Sequence, residues 1–420
     1  MVSGLVLANA TGVSGSVRIL GDQVAAVGDD VYPAPGDTVV DLAGYVLLAG
    51  LAEPHMHLDK VFTAGRVAPA TPDLAGAIAA WCDLRGDLTE ADFADRARRA
   101  AVGYLASGAT ALRAHTDASP VLGTIPVAAL RAVRDELAGA VDIEIVAMAG
   151  RPVTGAPGRE NLAALRDAID AGAGAVGGAP WLDPDPTTAC HLLFDIAAEA
   201  GLPVDLHVDE TMDPAADTLR VLIDLAGQGF EQRITASHVV SLASRPAAAR
   251  QRIAEALAEA GIGVVTLPQT NLWLQGRDDR PTSGRGLTAV RALRDAGVPV
   301  AAGADNIRDP FNPLGRTDPL EIASLLAAAA HLTPAQALAA VTTDAWTVLG
   351  RPAPAIRPGA PARFVAVAAA DADDAIATAP PARIVIRGSR VTARTSGATE
   401  FPGLAADLTS AGGPRPHRSR

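Results

Sequence analysis

Short apolar runs alternate with longer segments of helical period through most of this chain. The runs are Tyr45–Leu51, Ala109–Ala114, Ile143–Ala149, Gly174–Ala179, Val204–Val208, Ile234–Ser237, Ile262–Leu267 and Val298–Ala302. Between them lie Ala/Leu/Arg/Glu-rich stretches such as Glu90–Ala106, Val127–Leu137, Asn161–Ala171, Thr187–Ala200, Thr218–Ala226, Pro246–Ala260, Leu287–Ala296 and Pro319–Ala330. A run of four to eight apolar residues reads as a buried strand, and apolar positions recurring every three to four residues read as a helix face. Several helical stretches open on a turn or capping residue with a carboxylate in the first turn, as in Leu88-Thr89-Glu90. Eight strand–helix units in succession predict an α/β chain folded as a (β/α)8 TIM barrel over residues 45–351. No Gly-x-Gly-x-x-Gly loop follows the first run, which argues against an open dinucleotide-binding sheet.

The ends carry a different pattern. Residues 1–44 hold short alternating runs (Leu5–Leu7, Val17–Leu20, Val24–Val27, Thr38–Leu42), and residues 352–395 hold three more (Arg363–Val367, Arg383–Arg387, Arg390–Ala393). Neither flank is long enough to fold by itself, so together they predict a small β-sandwich. Residues 396–420 are rich in Gly, Pro, Ser and Ala, and predict a disordered tail.

Apolar residues make up 49% of the 420 and charged residues 20%, the balance of an ordinary globular protein. The net charge of −12 argues against nucleic acid and anionic membranes as partners. The two cysteines, Cys82 and Cys190, cannot build a disulfide framework or a Cys-rich zinc site, which suits a reducing compartment. The N-terminus lacks a basic segment followed by an apolar core, and Ala-rich stretches such as Ile322–Ala330 fall far short of the roughly 20 residues that span a bilayer. A cytoplasmic protein is expected.

The chemistry concentrates where the runs end. His55 and His57 are two apart at the close of the first run, so in an extended strand they point the same way. His207 and Glu210 close the fifth, His238 the sixth and Asp305 the eighth. In a (β/α)8 barrel these ends share one mouth. Nitrogen and oxygen donors converging there predict a divalent cation with an open position, and hence a hydrolytic centre. Glu210, overhanging the site from a loop, is placed to move protons. His238 is placed to ligate the cation or to hydrogen-bond the reacting groups, and Asp305 to touch the cation and take a proton. Lys60, the only lysine among 35 basic residues, lies three after His57.

In order, the segments GLAEPHMHLDK (50–60), LRAHTDAS (112–119), DLHVDET (205–211), TASHVVSL (235–242), NLWLQGR (271–277) and GADNIRDPFNPLG (303–315) resemble the amidohydrolase superfamily, in its cytosine deaminase-like branch. The resemblance implies His55, His57, His207 and Asp305 as ligands of one Fe²⁺ or Zn²⁺. It implies Glu210, His238 and Asp305 as the catalytic groups, in a deaminase that hydrolyses an exocyclic C–N bond of a cyclic amidine such as an aminopyrimidine or amino-s-triazine. Binuclear relatives use a lysine at the fourth strand's end, where this chain has Gly177-Gly178-Ala179-Pro180, so one cation is expected. Against the substrate the resemblance sets Phe311, with His115 and Asp117 facing the mouth from the second strand; Asn306, also a candidate for substrate binding, stands where the cytosine enzymes carry a second aspartate. Arg151 stands where the cytosine enzymes carry a glutamine that reads the ring edge, and Lys60 where they carry threonine. Both changes point to a small heterocyclic substrate with more carbonyl or anionic character than cytosine. Two alternatives remain: a cyclic-amide hydrolase of the hydantoinase or dihydroorotase type, and an inactive metal-binding scaffold. A homo-oligomer is left open.

Overall fold

The computed structural model describes residues 3–277 and 285–397; the expected disordered tail lies almost wholly outside the described residues. The chain forms two compact units. One comprises the described parts of Met1–Leu51, Leu105–Thr110 and Pro352–Arg420, and the other Ala52–Tyr104 with Ala111–Arg351.

The first unit holds two four-stranded sheets. In one, β1 (Leu5–Ala8), β2 (Ser16–Leu20), β3 (Gln23–Gly28) and β4 (Thr38–Asp41) lie in the order β3-β2-β1-β4. The other orders β16 (Arg390–Thr395), β15 (Arg383–Arg387), β14 (Arg363–Val367) and β5 (Val46–Ala49). Alternate residues of both sheets, among them Leu5, Leu7, Val17, Ile19, Phe364, Ile384 and Ile386, form one buried cluster. Here the first apolar run is corrected. Val46–Ala49 pairs antiparallel with β14 and does not enter the barrel. The chain then breaks at Gly50, whose N–H donates to the Arg363 carbonyl (2.8 Å).

The barrel strands are β6 (Leu51–Met56), β7 (Ala109–Ala118), β8 (Asp142–Ala149), β9 (Ala175–Gly178), β10 (Val204–Val208), β11 (Ile234–His238), β12 (Gly263–Thr266) and β13 (Val300–Ala302). They follow one another in the sheet in chain order. The ring closes through a parallel bridge between Met56 and Asp305, with His57 N–H donating to the Asp305 carbonyl and Asp305 N–H to that of His55 (both 3.0 Å). The strands are buried along their whole length except at three positions of β8, Asp142, Glu144 and Met148, as expected where helices cover the outside of a parallel sheet.

Inside the ring the side chains stack in polar layers spaced two residues apart. Arg113 on β7 donates to Glu144 Oε2 on β8 (2.6 Å) and to Asp205 Oδ2 on β10 (2.9 Å). Two residues further along come His115, His207 and Ser237 with His55, and beyond them Asp117 and His57. The sequence alternation thus builds a column of charge and imidazole that rises from the barrel floor to its mouth.

Candidate active site

The structure gathers His55, His57, His207 and Asp305 into one buried cluster, with one donor atom of each lying within 4.8 Å of the others. Hydrogen bonds on the far side of the His55 and His57 rings fix which nitrogen faces inward. Ser237 Oγ donates to Asp205 Oδ1 (2.9 Å), so it accepts from His55 Nδ1–H (2.8 Å) and leaves Nε2 bare. His57 Nδ1 lies 3.2 Å from the His115 carbonyl, which can only accept, so its Nε2 is bare as well. Lys60 Nζ is also 3.3 Å from this Nδ1, but its charge is met by Asp117 (2.8 Å) and Asp59 (3.2 Å).

The inward atoms crowd together. His57 Nε2 is 3.2 Å from His207 Nε2 and 3.1 Å from Asp305 Oδ1, and His55 Nε2 is 3.5 Å from the same oxygen. Burial pushes His57, His207 and His238 below the usual imidazole range, His238 to about 3, which favours the neutral rings. Lone pairs and a carboxylate converging at such distances repel unless a cation lies among them, and the donor set of imidazoles and one carboxylate fits a divalent metal ion.

Glu53, at the foot of the cluster, ties β6 to the segment after β13. It accepts from the N–H groups of His55 (3.1 Å) and Ala304 (3.1 Å) and from the Tyr104 hydroxyl (3.0 Å), and burial pushes its carboxyl up to about 8. Gly303 permits this approach: a Cβ there would meet Glu53 Oε1 at 2.6 Å and the His55 carbonyl oxygen at 2.8 Å.

Glu210 and His238 stand beside the cluster, His238 Nδ1 3.5 Å from Glu210 Oε1. The Asn271 amide, on the helix Pro268–Leu274 after β12, donates to His238 Nδ1 (2.9 Å) and lies 3.4 Å from Glu210 Oε1. The proton of neutral His238 therefore sits on Nε2, which makes no hydrogen bond among the described residues and lies 4.0 Å from Asp305 Oδ2. Burial, reinforced by the Asp305 charge, pushes the Glu210 carboxyl well above the usual carboxylate range. Four residues around the mouth are neither glycine nor in ordinary backbone: Asp209, His238, Val239 and Asp305 all have positive φ.

These groups open on a cavity of about 780 Å³, including space open to solvent, lined also by Lys60, Trp81, Cys82, Arg85, Asp117, Arg151, Asn306 and Phe311. Asn306 is buried, its amide donating to Asp309 Oδ2 (2.7 Å), and Phe311 is half-buried. His115 requires a correction. It does not line the cavity but lies below it, fully buried and stacked on His55 with ring centroids 3.9 Å apart. Strand β7 runs four residues beyond the apolar run Ala109–Ala114, which sinks His115 one layer and brings Asp117 to the mouth. Sequence reasoning missed Asp205, Ser237, Asn271, Trp81 and Arg85. Asp205 was within reach, since it lies two residues before His207 and shares its face of the strand.

The chain belongs to the amidohydrolase family, whose profile matches residues 82–394. Over 398 residues it is 31% identical to a pterin deaminase of Rhizobium rhizogenes, covering 92% of this chain and 90% of that protein. The structure of a 5-methylcytosine deaminase from Klebsiella pneumoniae, liganded with phosphonocytosine, superposes with a TM-score of 0.85 at 26% identity, covering 94% of this chain and all of that one. An N-isopropylammelide isopropylaminohydrolase from Burkholderia multivorans gives a TM-score of 0.82 at 30% identity, over 94% and 99% of the two chains. No helix among the described residues is long and apolar enough to cross a membrane.

Proposed function

We propose that the protein is a metal-dependent aminohydrolase that uses one Fe²⁺ or Zn²⁺ to release ammonia or a small amine from an amino-substituted heterocycle. The observation that carries this reading is the Glu210–His238 pair, set against the four-ligand cluster and facing the cavity. The rings in the relatives' names, pterin, 5-methylcytosine and N-isopropylammelide, share an exocyclic nitrogen on a ring carbon next to a ring nitrogen, which is the group such a pair can serve. A single cation is favoured by β9, where a side chain has no room. A Cβ on Gly177 would meet Val146 Cγ1 at 2.7 Å, and one on Gly178 would meet Leu193 Cδ1 at 2.8 Å.

His55, His57, His207 and Asp305 would hold the cation, which when bound supplies Lewis acidity and a water-derived nucleophile near neutral pH. Glu210, kept protonated by its buried setting, delivers its proton to the ring nitrogen and makes the adjacent carbon electrophilic. His238 presents Nε2–H to the oxygen that adds to that carbon, and Asn271 holds the ring in this tautomer. Asp305 receives the proton lost by the nucleophile and returns it to the exocyclic nitrogen, which leaves as ammonia or an amine as the C–N bond breaks. Trp81 and Phe311 offer apolar faces to a planar ring.

The test is ammonia or amine release by the metal-loaded protein from cytosine, isocytosine, 2-amino-4-oxopteridine, ammelide, N-alkyl ammelides and hydantoin. Glu210→Gln is expected to lower turnover by roughly 10²–10⁴-fold with metal content retained. Opening of hydantoin without ammonia would refute the deaminase reading in favour of a cyclic-amide hydrolase.

A further inference from the structure

The cavity wall carries three cationic side chains, Lys60, Arg85 and Arg151. Two carboxylates answer them. Lys60 pairs with Asp59 (3.2 Å) and Asp117 (2.8 Å), and Arg85 Nη1 shares the same Asp117 at 3.2 Å. Trp81 Nε1 also donates to Asp117 (2.6 Å), so three donors already share that carboxylate. Arg151 is exposed on the cavity wall and makes no hydrogen bond or ion pair with any described residue. Arg85 Nε, beside it on the same wall, is buried without a partner. Glu210 lies beyond ion-pair distance of Arg151 and is engaged with His238 and Asn271. An unpaired guanidinium facing the cavity of a protein with net charge −12 is a local positive site in a negative field, and it selects anions. A guanidinium presents its donors in a planar fork that matches a carboxylate.

Building on the aminohydrolase reading, we infer that Arg151, supported by Arg85, is an anion subsite, and that the preferred substrate is an amino-heterocycle carrying a carboxylate on its ring. The subsite adds binding and orientation; it does not take part in the C–N cleavage.

The experiment compares two pairs of rings on the metal-loaded protein: 4-amino-2-oxopyrimidine with its 5-carboxylate, and 2-amino-4-oxopteridine with its 6-carboxylate. The carboxylated member of the pair that is turned over is expected to have a kcat/KM at least about tenfold higher, the equivalent of one charge-assisted contact. Arg151→Gln is expected to bring that ratio close to one, and Arg151→Lys to restore part of it. A wild-type ratio at or below one, or a ratio that Arg151→Gln leaves unchanged, overturns the inference. Absence of ammonia from all four rings refutes the deaminase reading instead, and calorimetric binding of the same rings then decides the subsite. Tighter binding of the carboxylated rings that is lost in Arg151→Gln supports it, and equal or absent binding overturns it.

Discussion

Ser237→Ala tests the claim that the ligand cluster is set from below. Ser237 is fully buried, accepts from His55 Nδ1–H at 2.8 Å and donates to Asp205 Oδ1 at 2.9 Å. Removing the hydroxyl leaves an imidazole N–H and a carboxylate oxygen without that partner, at about 1–3 kcal/mol for each buried group left unsatisfied. Asp205 keeps its bond to Arg113 Nη1 (2.9 Å), so most of the loss falls on His55, whose ring is then free to turn or to move its proton to Nε2. Losing such a support behind a metal-ligating histidine costs 10–100-fold in metal affinity, or about 1.4–2.7 kcal/mol. The assay is competition for Zn²⁺ with a chromophoric chelator, alongside thermal unfolding of the metal-free protein. Ser237→Thr, which keeps the hydroxyl, should bind the metal much as the wild type does. Zn²⁺ affinity unchanged in a folded Ser237→Ala protein would refute the reasoning and leave the Ser237–Asp205 pair as packing alone.

The two cysteines should differ sharply. Cys82 is exposed and lines the cavity, whereas Cys190 is buried and its thiol is pushed up to about 12 by burial, with Asp209 adding to the effect. A thiol titration of the native protein should find one fast-reacting group, alkylation of Cys82 should block turnover, and two fast groups would contradict the structure. Asp37 is held well below its ordinary 3.8 by the Arg18 guanidinium and by the N–H groups of Ala34 and Gly4. A depressed carboxyl adds stability above its unfolded value and loses it as pH falls through the folded one. Asp37→Asn should therefore flatten the loss of stability on acidification below about pH 4, read by denaturant unfolding across pH, and an unchanged slope would show that the pair is not felt.

Seven of the eight barrel strands and the six polar residues at strand ends were legible because each rests on a local signal, periodicity for the elements and residue type for the cluster. The misread first strand shows where such signals stop. Val46–Ala49 and Leu51–Met56 are both buried, and only pairing across long sequence distance, with Arg363–Val367 for one and Asp305 for the other, separates them. The helix Leu74–Arg85, which brings Trp81 and Arg85 to the cavity, went unread since Leu-Ala-Gly-Ala-Ile-Ala-Ala-Trp has no polar face to mark a helical period. Asp205 falls to the same rule that paired His55 with His57. A carboxylate two residues before His207 on one strand shares its face, and inside a barrel it must meet a partner. Asn271 carries no such mark: its role comes from a turn of helix after β12 that places one amide between Glu210 and His238.

The polar column also accounts for the backbone at the mouth. Strands that end on a residue of the cluster must turn away at once, or the next side chain would enter the cavity. Asp209 (φ 46°), His238 (φ 72°), Val239 (φ 50°) and Asp305 (φ 60°) make that turn in the left-handed region, at a cost of order 1–3 kcal/mol each for residues with a Cβ. Glycine would relieve the strain at all four, but at His238 and Asp305 it would remove a group that faces the cavity. At Asp209 it would remove the carboxylate that accepts from the N–H groups of Thr218 (3.0 Å) and Leu219 (3.2 Å) and so starts the helix Thr218–Gly227. The strain is therefore retained where the side chain is needed. It is opposed by the closed ring of strands, the Glu53 brace between β6 and Ala304, and the buried Arg113–Asp205 pair beneath His55. A site whose inward lone pairs repel and whose backbone is strained is one that a bound cation stabilises most, which couples metal binding to the folding of the barrel mouth.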